Sequence, residues 1–239
     1  LVADGTAADA TAAKAYIATR TPAQIAEYLR AQDGGALLGK VAAAGLGSVA
    51  PIPDGTVIPT DPIGAIAADR YVKVPMLAGN TRDEGKLFAS LLGTIGFPTS
   101  GWIVNDAQRF SLMFNFDPDA APTLTVNDII DPFYLPVDKA GTGYNAATAL
   151  ITKGLFEANR DNLLDTMKTR QSNIWHYRLD WSQEASPWND VYGASHAFDL
   201  PFVFGNFGPS VLSSSIGGKA NEKGRLALSK AVMASIGAF

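Results

Sequence analysis

The sequence predicts an α/β fold, and three observations carry the prediction. Two short segments, 74–79 and 174–181, have the apolar and aromatic content of strands. Stretches with helical apolar spacing lie before, between and after them. Each strand segment is followed by a loop that carries an ionisable side chain: GNTRDEG at 79–85 directly after the first, and GASHAFDLPFVFG at 193–205 eleven residues beyond the second. Strands alternating with long helical patterns argue for a parallel sheet flanked by helices.

Taken in order, 7–16 is permissive for a helix. Thr21-Pro22-Ala23-Gln24 then supplies an N-cap, a proline at the first helical position and glutamine at the third, which opens a helix to about Gln32. Asp33-Gly34-Gly35 ends it. Segment 51–62, PIPDGTVIPTDP, carries too many prolines for a central strand and reads as an ordered loop in which Asp54 and Gly55 form a turn. A short helix at about 62–70 and a strand at about 73–79 follow. Segment 93–136 mixes short apolar pieces with proline and aspartate and predicts an insertion of irregular or short helical segments over the sheet. Segment 146–170 is helical in pattern with a break near Gly154. The strand at 174–181 would place Trp175, Tyr177, Leu179 and Trp181 on one side. The last helix, 221–239, offers Leu226, Met233, Ile236 and Phe239 for an apolar face.

The 239 residues are 47% hydrophobic and 18% charged, which suits a sizeable buried core and argues against disorder. A formal charge of −4, with no Lys/Arg cluster interleaved with aromatics, argues against nucleic-acid binding. The apolar runs, such as 41–50 and 87–96, are interrupted and fall short of the roughly 18 to 20 residues that cross a bilayer. With no cysteine there is neither a disulfide framework nor a thiolate metal site, and the compartment stays open. The first residues show neither an initiator methionine nor a signal peptide, and the final helix lacks a stop signal, so the chain is expected to be a piece of a longer protein.

Two segments carry candidate chemistry. Glu84 lies in Thr81-x-x-Glu84, a capping-box pattern, so the local motif alone makes it a helix cap. Asp83 reads as a first-turn acid favoured by the helix dipole. His196 is one of only two histidines. A loop histidine satisfied by a backbone carbonyl is the ordinary reading, and a metal site would need more ligands than this chain readily offers. Asp199 reads as support for the loop, and His176, among Trp175 and Tyr177, as a structural strand residue. The aromatics of the insertion suit a pocket lining or a core equally well.

The acid and histidine segments closely resemble the type-B carboxylesterase (carboxylesterase/cholinesterase) family, in which DEG carries the triad glutamate and GAxH the triad histidine. Segment 51–59 is also similar to the family's P-x-x-DG-x-x-(I/L)-P stretch. The resemblance runs from about Thr21 to Phe239 and reverses the balance for both residues, making Glu84 the triad acid and His196 the general base. It implies the C-terminal part of a single α/β-hydrolase catalytic domain that hydrolyses a small-molecule ester through an acyl-enzyme, with no metal or organic cofactor. No Gly-x-Ser-x-Gly occurs; SSSIG at 213–217 and GPSVL at 208–212 each miss one flanking glycine. The nucleophilic serine is therefore expected on an N-terminal half of the same protein, the chain's implied partner. A catalytically inactive cholinesterase-like binding or adhesion protein is the alternative, and the presence of both Glu84 and His196 argues against it. A stand-alone binding module is disfavoured because half a sheet would expose its edges.

Overall fold

A computed structural model describes the chain apart from Ala3, residues 44–50 and Val211. Most of the apolar run at 41–50, and one residue of GPSVL, therefore lie outside the described residues. The chain divides into two compact units, Leu1–Thr60 and Asp61–Phe239.

The first unit is helical. Helix α1, Ala10–Ala18, starts where the Asp9 carboxylate accepts from the Ala12 amide at 2.7 Å. Helix α2, Pro22–Arg30, begins with the expected capping box between Thr21 and Gln24. Asp33 then accepts from the Ala36 amide, so the glycines that follow α2 open α3, Gly34–Ala43. Asp54 is the expected turn former, its carboxylate accepting from the amides of Thr56, Val57 and Ile58.

The second unit begins with α4, Pro62–Ala67, capped by Asp61. Strand β1, Met76–Thr81, starts two to three residues later than the sequence predicts because Pro75 has no N–H to give a ladder. A 3₁₀ run, Glu84–Thr94, follows with a kink at Phe88. The insertion holds α5, Asp106–Phe114, and two single 3₁₀ turns at Val126–Asp128 and Pro132–Tyr134. The expected break near Gly154 is a π-helical stretch, Thr152–Glu157, between α6, Tyr144–Ile151, and α7, Ala158–Lys168. Strand β2, Ile174–Leu179, is followed by α8, Trp188–Val191, α9, Leu200–Phe204, and α10, Glu222–Ala238.

Strands β1 and β2 pair in parallel, Met76 opposite Ile174 through Thr81 opposite Leu179. The Arg82 amide donates to the Leu179 carbonyl, so both chains leave the sheet at one level. Gly79 lies beneath the Tyr177 ring, where a β-carbon would collide with it. The strand faces stay largely half-buried or exposed, Trp175 among them. The large buried side chains come instead from the segments around the strands' C-terminal ends, including Leu92, Trp102, Met113, Tyr134, Tyr144, Trp188, Tyr192, Phe198 and Phe202.

Helix α10 packs through a different stripe from the expected one. Leu228 and Val232 lie on the core, and the buried Ser229 hydroxyl donates to the Phe202 carbonyl at 2.9 Å. Leu226, Met233, Ile236 and Phe239 remain 39% to 52% exposed. The helix carries two apolar stripes, and the periodicity alone does not say which one meets α9. No helix among the described residues is long and apolar enough to cross a membrane.

Candidate active site

The acid turn follows β1 directly. Glu84 is 4% exposed and its two carboxylate oxygens do separate work. One accepts from the Thr81 amide at 2.7 Å, half of the capping box that the sequence suggests. The hydroxyl half does not form: Thr81 Oγ1 is buried with no partner among the described residues. The other carboxylate oxygen lies 2.6 Å from His196 Nδ1. Next in the chain, the Gly85 amide donates to the Thr152 hydroxyl at 2.9 Å, and a β-carbon at Gly85 would run into the Thr148 carbonyl on α6. The glutamate is thus fixed by its own turn and by the packing of that turn on α6.

The histidine loop is equally constrained. Gly193 and Ala197 both adopt left-handed backbone, with φ of 51° and 66°; glycine does so freely, whereas alanine pays for it. Tyr192 and Phe198 are fully buried on either side. Asp199 supports the loop as expected, its carboxylate accepting from the Tyr177 hydroxyl at 3.1 Å. Asp83 stands at the N-terminal end of the 3₁₀ run, as its N-cap residue rather than inside the first turn. Its side chain makes no cap and instead accepts from the Ala194 amide at 3.0 Å while pairing with Arg82 at 2.7 Å. Its own amide donates to the Ala194 carbonyl at 2.8 Å. No local pattern in DEG signals this partner, which lies 111 residues away.

The His196 ring packs against both Phe88 and Phe156, each with its centroid 5.2 Å away, and those two rings touch each other at 5.7 Å. The imidazole remains 42% exposed and, with Glu84, lines a cleft of about 400 Å³ bordered by Asn80, Phe156, Arg160 and Leu200. Among the described residues Nε2 has no hydrogen-bond partner. The Glu84 hydrogen bond raises the pKa of His196 above its ordinary value, against desolvation, which lowers it. A buried carboxylate at Nδ1 fixes the ring, and leaves Nε2 as the atom that can take a proton. Arg160 is held by the Asn80 side chain and by Asp161.

His176 lies mid-strand opposite Ala78, 3.5 Å from the side-chain oxygen of Asn80, which borders the same cleft. The insertion aromatics divide: Trp102 and Tyr134 are core, while Phe114 and Phe133 are about half exposed. A buried cluster that the sequence reading did not single out lies near Asp83. Lys86 is 5% exposed and donates to the Asp190 carbonyl, and Glu184 is 5% exposed with neither carboxylate oxygen paired among the described residues. Burial lifts Glu184 to about 8 and lowers Lys86. No group of three or more His, Asp or Glu side chains among the described residues is arranged to hold a metal ion.

The chain that carries this pair, a buried glutamate on a histidine whose far nitrogen opens to a cleft, is matched by a family model. The model for the carboxylesterase family covers residues 4–239. The chain belongs to the carboxylesterase family. Its fold is accordingly the α/β-hydrolase fold, of which the parallel pair and its flanking helices are part. It is 26% identical over 153 residues to a para-nitrobenzyl esterase of Bacillus subtilis (strain 168), and 30% identical over 167 residues to Lipase 2 of Geotrichum candidum. These matches cover 64% and 66% of this chain, and 27% and 28% of the two relatives. The chain's matched stretch thus spans roughly a quarter of the length of these two relatives.

Proposed function

We propose that this carboxylesterase-family chain contributes Glu84 and His196 to a Ser-His-Glu triad that hydrolyses carboxylic esters, the serine coming from a part of the protein outside these 239 residues. The observation that carries the reading is the 2.6 Å contact between Glu84 and His196 Nδ1, with Nε2 unpartnered at an open cleft. The esterase and lipase relatives support the same chemistry. His196 Nε2 takes the serine proton as the oxygen adds to the ester carbonyl, then gives that proton to the departing alcohol as the tetrahedral species collapses to an acyl-enzyme. Water repeats the sequence and releases the acid. Glu84 holds the ring with Nδ1 protonated and stabilises the imidazolium formed in each half. A small-molecule ester is the substrate on this reading, and no cofactor takes part.

The test is turnover of 4-nitrophenyl acetate by the full-length protein. His196→Ala and Glu84→Gln each lower kcat by roughly 10³ to 10⁴ with the fold retained, whereas His176→Ala costs far less. The pH dependence has a definite sign. The base works neutral, and its pKa is raised by Glu84, so the acid limb of kcat/KM lies above the ordinary histidine value of about 6.5 and moves down in Glu84→Gln. Full activity in His196→Ala would end the assignment.

A further inference from the structure

Glu84 and His196 lie 112 residues apart on two separate loops, and their 2.6 Å contact needs those loops held together to within tenths of an ångström. One residue ties them directly. Asp83 donates its amide to the Ala194 carbonyl and accepts the Ala194 amide on its carboxylate, at 2.8 and 3.0 Å. Ala194 is fully buried, so no water replaces a lost partner there. The approach is close enough to dictate the next residue: a β-carbon on Gly193 would lie 2.6 Å from the same carboxylate oxygen, and Gly193 has a left-handed backbone. The oxygen that reaches Ala194 also meets Arg82, whose guanidinium bonds the Asp180 carbonyl at the end of β2.

Resting on the triad reading, we propose that Asp83 is a positioning residue that staples the histidine loop to the acid turn through Ala194. It touches no substrate. What the staple requires is an acceptor oxygen at one place, since the Ala194 amide is neutral and an amide carbonyl oxygen also accepts from it, though more weakly than a carboxylate oxygen. Position and charge are therefore separable.

Two substitutions cross these requirements in the full-length protein, read by kcat, KM and the pH profile on 4-nitrophenyl acetate, with His196→Ala alongside. Asp83→Asn keeps an acceptor in place and removes the charge; it loses no more than about fivefold in kcat and keeps the acid limb. Asp83→Glu keeps the charge and the Arg82 pair but moves the oxygen by one methylene. It loses about 10²-fold in kcat with KM little changed, as expected for a displacement near 1 Å at a catalytic pair. Its acid limb shifts to lower pH, because the Glu84 bond that lifts the imidazole pKa is loosened. The reverse pattern, Asp83→Glu near normal and Asp83→Asn impaired, overturns the staple in favour of a charge role. If His196→Ala abolishes activity while Asp83→Glu keeps both kcat and acid limb, the staple alone falls; if His196→Ala is fully active, the triad reading falls and the staple with it.

Discussion

Glu84 makes a contact called for by each of its two rival readings: one carboxylate oxygen closes its own turn on the Thr81 amide and the other meets His196. Sequence patterns made the two functions look exclusive, but a carboxylate has two oxygens and the turn aims each at a different partner. Both residues of the pair were legible because each sits in a short, distinctive motif. The partners of Asp83, and the unpaired burial of Glu184, were not legible, since both arise from chain segments about a hundred residues apart. Glu184 supports a stability prediction. Burial holds its pKa at about 8 in the folded state, above the ordinary value of 4.5, so the native state binds a proton that the unfolded chain has lost. Stability therefore declines as pH rises from about 4.5 to 8. Glu184→Gln removes that decline: thermal unfolding of the two full-length proteins coincides near pH 4, and the variant is the more stable at pH 9, by roughly 1 to 4 kcal/mol.

Among the elements, the 3₁₀ run that begins at Glu84 is set by one glycine. Gly85 lets the run approach α6 closely enough for its amide to reach Thr152, and no side chain fits between. Gly85→Ala forces the run away from α6; a loss of about 1 to 3 kcal/mol in denaturant unfolding is expected, with a fall in kcat as Glu84 moves off the histidine. Unfolding energy unchanged from the parent would contradict this close packing. The helix starts at Pro22 and the helical stretch interrupted near Gly154 followed from local chemistry: a capping box in one, a glycine in the other. The packing face of α10 did not. Its position is decided by Ser229 and Val232 meeting α9 and the core, contacts that a periodicity cannot rank against the equally apolar Leu226, Met233 and Ile236.

For the whole molecule, the largest contrast is between a well-packed core at the strand ends and a sheet with half-exposed faces. Parallel strands are ordinarily covered on both faces and paired at their edges. Residues 1–239 expressed alone are thus expected to bind a hydrophobic dye, unfold without a sharp transition and leave 4-nitrophenyl acetate intact; robust turnover would contradict a nucleophile from elsewhere in the protein. The register of β1 on β2 has a further consequence. Thr81 and Leu179 are opposite; the acid turn departs directly from Thr81, and the chain to the histidine loop leaves at Leu179. A slip of one residue would turn the side chains to the wrong faces, but a slip of two would preserve every inward and outward position while moving the acid about 6.6 Å along the sheet. Such a misaligned chain would satisfy the polarity pattern and still lack the hydrogen bond to the imidazole. Gly79 beneath the Tyr177 ring is a feature that tells the two alignments apart, because after a two-residue shift that ring would face Leu77 or Thr81 and have no room to lie flat.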